Sequence, residues 1–120
     1  MVQSISAVTL AVADMARAVE FYRDRVGMEM LYGGDLASFT SFSVNGGYLN
    51  LILVVDGGWA WWGRIVFHVD DVDVLYEKLV TCGLTPSSAP EDAPWRERYF
   101  HITDPDGHEL SFSKPLLESS

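Results

Sequence analysis

Cysteine is almost missing from this chain: Cys82 stands alone among 120 residues. No internal disulfide can form, and such usage suits a reducing cytoplasm, the expected location. At the end of an amphipathic stretch, Cys82 reads as a small apolar residue and not as a nucleophile. No apolar run is long enough to span a bilayer, and the N-terminus lacks a basic segment followed by an apolar core and a cleavage site. Neither a membrane span nor a secretory signal is therefore expected. Basic residues are scarce, with 8 Lys and Arg against 17 Asp and Glu, a net charge of −9. Nucleic acids and anionic membranes require a basic face to neutralise phosphate, so neither is an expected partner. The acidity is accounted for first by solubility, and beyond that it makes a cationic ligand more plausible.

What the chain does contain is itself, twice. Val8-Thr9-Leu10-Ala11-Val12-Ala13-Asp14 is answered by Ile65-Val66-Phe67-His68-Val69-Asp70-Asp71. Asp14 opens an amphipathic stretch with Met15, Val19, Tyr22 and Val26 at helical spacing, ending at Gly27; Asp71 opens Val72, Leu75 and Leu79, ending at Gly83. Asp accepts hydrogen bonds at a helix N-cap and Gly takes the left-handed conformation after a helix, so each copy carries its own start and stop. Period-two segments follow: Met28 to Tyr32, Phe39 to Val44 and Tyr48 to Val55 in the first copy. The second has a polar, Pro-containing connection from Pro86 to Pro94, then Trp95 to Thr103, the turn Asp104-Pro105-Asp106-Gly107, and Glu109 to Ser113. Each module is thus strand, helix, then two or three antiparallel strands. We divide the chain into a first βαβββ module at 1–57, a Trp-rich connection at 58–63 and a second βαβββ module at 64–120.

Strand parity sorts the side chains. Val8, Leu10, Val12 and Ile65, Phe67, Val69 are uniformly apolar and belong under the helices, as do Leu49, Leu51, Leu53, Phe100, Ile102, Leu110 and Phe112. The opposite face then receives Ala7, Thr9, Ala11, Asn50, Ile52, Arg64, Val66, His68, Trp95, Glu97, Tyr99, His101, Ser111 and Ser113. A surface so mixed in polar and aromatic groups reads as a lined cleft better than as a core.

Two motifs give the modules a family likeness. Val12-Ala13-Asp14 followed by Ala18-Val19-Glu20-Phe21-Tyr22-Arg23-Asp24-Arg25-Val26-Gly27, and Asp104-Pro105-Asp106-Gly107-His108-Glu109-Leu110, occur in order around the repeat. Together they resemble the vicinal oxygen chelate superfamily of glyoxalase I, bleomycin and fosfomycin resistance proteins and extradiol dioxygenases, over nearly the whole chain. The resemblance implies an α+β fold of two βαβββ modules in tandem, each curling a mixed sheet into a half-cup around a shared cleft, and a homodimer.

Metal-dependent members of that family place ligands at positions that map to Ala7, Asn50, Arg64 and Ser111, and the repeat pairs Ala7 with Arg64 and Asn50 with Ser111. Ala has no donor, Arg stays cationic, and Asn and Ser bind transition metals poorly, so the expectation is no metal and no cofactor. His68, His101 and Glu109 are candidates for a displaced metal site or for metal-free acid–base chemistry. In other roles, His68 is a hydrogen-bonded residue at the edge of the core, His101 a ligand-facing donor and His108 a turn residue in solvent.

Among metal-free members the likeness is closest to antibiotic-binding resistance proteins, whose late strand commonly begins Pro-Trp-Gly-x-x-aromatic. Here Pro94-Trp95-Arg96-Glu97-Arg98-Tyr99 stands in that place, with Arg96 where Gly is usual. By that resemblance Trp95 stacks on a ligand, and Tyr99, His101, His68, Arg64, Asn50, Ser111 and Phe39 join it. Trp59, Trp61 and Trp62 are either a further binding wall or a dimer interface. Arg64 either anchors a carboxylate or phosphate or forms an ion pair with Glu97 or Glu109. The expected function is metal-free binding of an aromatic or amphipathic small molecule, an antibiotic held by sequestration. Two other readings stand beside it: a glyoxalase-like lyase or isomerase, and a protein-interaction module.

Overall fold

The computed structural model describes residue 1 and residues 3–58 and 60–116. The chain separates into two compact units, Met1–Ala60 and Trp61–Ser120, so Trp61, Trp62 and Gly63 group with the second unit. Trp59 lies outside the described residues.

The first unit runs β1 (Ala7–Val12), α1 (Met15–Val19) continuing into a π-helical segment (Glu20–Val26), β2 (Glu29–Tyr32), β3 (Phe39–Val44) and β4 (Gly47–Leu53). The second runs β5 (Arg64–His68), α2 (Val72–Thr81), β6 (Glu91–Ala93), β7 (Glu97–Thr103) and β8 (Glu109–Pro115). The two sheets have the same topology, β1-β4-β3-β2 and β5-β8-β7-β6. In each, the first strand pairs parallel with the last and the remaining pairs are antiparallel. This is the α+β architecture of tandem βαβββ modules.

The repeated Asp residues act alike. Asp14 Oδ1 accepts the Arg17 N–H and Asp71 Oδ1 accepts the Val74 N–H, each at 3.1 Å. Both helices end on left-handed glycines, Gly27 (φ 90°) and Gly83 (φ 87°). At Gly83 the N–H donates to the Val80 carbonyl and that of Leu84 to the Leu79 carbonyl, a double closure of the helix end. The first helix departs from regular α spacing. Its last turns widen, the Gly27 N–H reaches back to the Tyr22 carbonyl, and both Phe21 and Tyr22 enter the core edge to face at 4.9 Å.

Parity holds on the helix side: Leu10, Val12, Phe42, Leu49 and Leu51 are buried in the first unit, and Phe100, Ile102, Leu110 and Phe112 in the second. Phe112 stacks on Phe67 at 5.4 Å and tilts against Phe100 at 5.5 Å. The Arg98 guanidinium donates to Asp73 at the start of α2 and to Asp92 on β6, fastening the helix to the sheet edge. These pairs raise the Arg98 pKa and lower that of Asp73.

Three expectations change. The connection from Pro86 to Pro94 contains the strand β6, which its Glu-Asp-Ala composition hid because those residues have little strand preference. Strand β7 begins at Glu97 and not Trp95, because Arg96 adopts φ 67° and its N–H closes a turn onto the Ala93 carbonyl at 3.0 Å. His108 is buried, not solvated; its N–H donates to Asp104 Oδ1 at 2.8 Å inside the Asp-Pro-Asp-Gly turn. Among the described residues no helix is long and apolar enough to cross a membrane.

Candidate functional site

The side of each sheet turned away from its helix carries the candidate residues. In the first unit, register aligns Thr9 with Asn50 and Ser41, and Ala11 with Ile52 and Phe39. Asn50 Nδ2 donates to Thr9 Oγ1 at 3.4 Å, and Phe39 is half-buried with its ring 6.5 Å from Tyr32. This face is neutral across β1, β3 and β4.

The corresponding face of the second unit is charged and aromatic. Register sets Arg64 beside Glu109 and Thr103, Val66 beside Ser111 and His101, and His68 beside Ser113, Tyr99 and Glu91. Along β7 the rings form a ladder: Trp95 stacks on Tyr99 at 6.1 Å with an interplanar angle of 23°, and Tyr99 lies 4.9 Å from His101. Strand parity brings Tyr99 and His101 to one face, and the Arg96 turn folds Trp95 back over them. Trp95 is 68% exposed.

Carboxylates hold the polar atoms of these rings. Tyr99 Oη donates to Glu91 at 2.6 Å and Trp95 Nε1 to Glu97 at 3.3 Å. The Glu91 carboxylate stabilises the phenol as a donor and raises the Tyr99 pKa. Glu97 also lies 3.9 Å from His68 Nε2. At the other end of the face, Arg64 Nη2 donates to Glu109 Oε1 at 2.7 Å and Trp61 Nε1 donates to Glu109 Oε2 at 3.0 Å. These two donors, Arg64 first, hold the Glu109 carboxyl below the usual carboxylate range. Burial, reinforced by the Arg64 charge, lowers the His101 pKa and favours neutral imidazole. His101 Nδ1 and Ser113 Oγ are buried without a hydrogen-bond partner among the described residues.

Of the two partners open to Arg64, the carboxylate it meets is that of Glu109. His68, His101 and Glu109 do not form one hydrogen-bonded set: His68 is exposed beside Glu97, His101 lies across from Ser111, and Glu109 is committed to Arg64 and Trp61. His68 is thus no buried core-edge residue. Trp62 Nε1 donates to His108 Nδ1 at 2.7 Å, so this tryptophan fastens the entering chain to the start of β8. Glu91 escaped the sequence reading because its strand did; only its register with Tyr99 brings it to this face.

The residues at Ala7, Asn50, Arg64 and Ser111 do not fit a divalent cation. Arg64 brings a positive charge already paired with Glu109, Ser111 is buried, and Asn50 offers a neutral amide. Among the described residues no group of three or more His, Cys, Asp or Glu could hold a metal ion. A pocket of about 320 Å³ at the start of α2 lies elsewhere, where Arg98 is paired with Asp73 and Lys114 donates to the Asp70 carbonyl.

This topology and these motifs have counterparts. The model of the glyoxalase/bleomycin resistance protein/dioxygenase superfamily matches residues 4–112, and the chain belongs to that family. The chain is 28% identical to a metallothiol transferase, FosB, of Lysinibacillus sphaericus, covering 98% of this chain and 86% of the relative. It is also 28% identical to a bleomycin resistance protein of Geobacillus stearothermophilus, covering 97% and 98% respectively. The solved structure of a glyoxalase/bleomycin resistance protein/dioxygenase from Nocardioides superimposes with a TM-score of 0.79 at 21% identity, covering all of this chain and 88% of the other.

Proposed function

We propose that this protein binds an aromatic or amphipathic small molecule on the open face of its second unit, without a bound divalent metal, and acts by sequestering an antibiotic. The observation that carries this reading is the ladder of Trp95, Tyr99 and His101. Its outermost indole is oriented by stacking and by Glu97, yet 68% of that residue remains exposed. A large, fixed and uncovered aromatic surface is suited to a flat ligand. Glu91, Glu97 and Glu109 outnumber the single Arg64 on this face. That excess favours a ligand carrying positive charge, with cation–π contact supplying about 0.5–2 kcal/mol per ring. The bleomycin resistance relatives support an antibiotic as the ligand.

The metal-independent part rests on donor chemistry at Arg64, Ser111, Asn50 and Ala7, where the Arg64–Glu109 ion pair supplies no site for a cation. The homodimer is part of the same proposal, supported by exposed apolar side chains of the first unit such as Tyr32, Leu36 and Val55.

The test is a titration of intrinsic tryptophan fluorescence with a panel of flat and glycopeptide antibiotics. A saturable change that weakens at least fivefold in Trp95→Ala is expected. A flat response across the panel overturns the reading.

A further inference from the structure

The open face of the second unit carries a fixed aromatic at each end. One end is the Trp95–Tyr99 stack. The other is Trp61, which belongs to no strand and whose indole N–H is held by Glu109 at 3.0 Å. Glu109 is itself held by Arg64 at 2.7 Å, so the carboxylate that positions Trp61 is ionised and anchored to β5. A tryptophan is ordinarily fixed by being buried; Trp61 is fixed by this relay and remains 63% exposed. Its neighbour Trp62 differs, because its N–H is taken by the buried His108, against whose ring it lies at 5.8 Å. Trp62 fastens the chain, while Trp61 presents a ring.

Between the two aromatic ends lies the row Val66, Ser111 and His101, in which the imidazole is held toward its neutral form. Glu109 and Ser113, the β8 residues of the end rows, are four residues apart, about 13 Å along a strand. His101 feels the charges of both Arg64 and Glu109, and Tyr99 that of Arg64, so the two ends share one electrostatic surface.

We propose that Trp61 is a second stacking wall of the binding site, placed by Glu109 and Arg64 acting as positioning residues. The ligand class that follows is an elongated molecule with a flat group toward each end, on the scale of the roughly 13 Å of strand between the end rows, in preference to one compact ring system. This rests on the reading that the face binds aromatic ligands.

Two probes test it on the full chain: 9-aminoacridine, and a bis-acridine whose linker lets its rings stand about that far apart. Unmodified protein is expected to bind the bis-acridine at least tenfold more tightly than the single acridine. Trp61→Ala and Glu109→Ala should bring that ratio below threefold; Trp95→Ala should weaken both probes. A Glu109 role confined to stability would not move the ratio, and the exposed Trp61→Ala provides a variant that does not disturb the core. An unchanged ratio in Trp61→Ala overturns the wall assignment while leaving the binding reading intact. Failure of both probes to bind the unmodified protein overturns both.

Discussion

Arg64 and Glu109 stand opposite each other on the parallel strands β5 and β8, and their 2.7 Å ion pair leaves the second carboxylate oxygen to the indole of Trp61. Replacing Arg64 with Ala removes the charge paired with the half-buried Glu109 carboxylate. A loss of about 1 kcal/mol at pH 7 is expected, modest because both groups are partly solvated. Glu109 has a lowered pKa in the folded chain, so the pair's stabilisation is present above the ordinary carboxylate range and is lost as pH falls through the folded value. Urea denaturation of the two proteins should therefore show a gap at pH 7 that narrows in acid; a gap that widens in acid would contradict the assignment.

Arg96 occupies the left-handed region at φ 67° in the turn between β6 and β7, where a side chain costs about 1 kcal/mol or more. Arg96→Gly relieves that cost and gives back part of it as unfolded-state entropy. A net gain of about 0.5–1 kcal/mol is expected, seen as a rise of a few degrees in Tm by calorimetry. A fall in Tm would show that the Arg96 side chain supplies more than its backbone conformation costs.

Gly33 answers to a different constraint. Its φ is 91°, and an added Cβ would lie 2.3 Å from the Phe39 carbonyl oxygen and 2.8 Å from Thr40 Cα, where β2 turns toward β3. Backbone must move, so Gly33→Ala should cost about 2–4 kcal/mol, measured by urea denaturation. Gly46→Ala, with open space around it, should cost less despite the same φ of 91°.

The repeat predicts matched effects. Asp14→Ala and Asp71→Ala each remove a cap bond of 3.1 Å. Each should cost about 1 kcal/mol by chemical denaturation, the two values agreeing within a factor of two.

Much of this is legible in the sequence because the signals are local. Asp14 and Asp71 before apolar helical spacing, Gly27 and Gly83 after it, and alternation in Val8-Leu10-Val12 each need only a few residues to be read. Parity likewise brought Tyr99, His101 and Ser111 to one face. What escaped was non-local or against local preference. No spacing rule joins Trp61 to Glu109 or Trp62 to His108, 48 and 46 positions away. Glu91-Asp92-Ala93 becomes a strand only because β7 offers it an edge. The widening of the first helix over Glu20–Val26 is likewise not announced by the 3.6-residue spacing of its apolar residues.

The most direct test of metal-independent aromatic binding is a calorimetric titration with 9-aminoacridine, before and after exhaustive dialysis against EDTA, with elemental analysis of both samples. The account predicts saturable binding of equal affinity in the two samples and substoichiometric metal in each. Binding that disappears on chelation and returns with a stoichiometric divalent ion would contradict it.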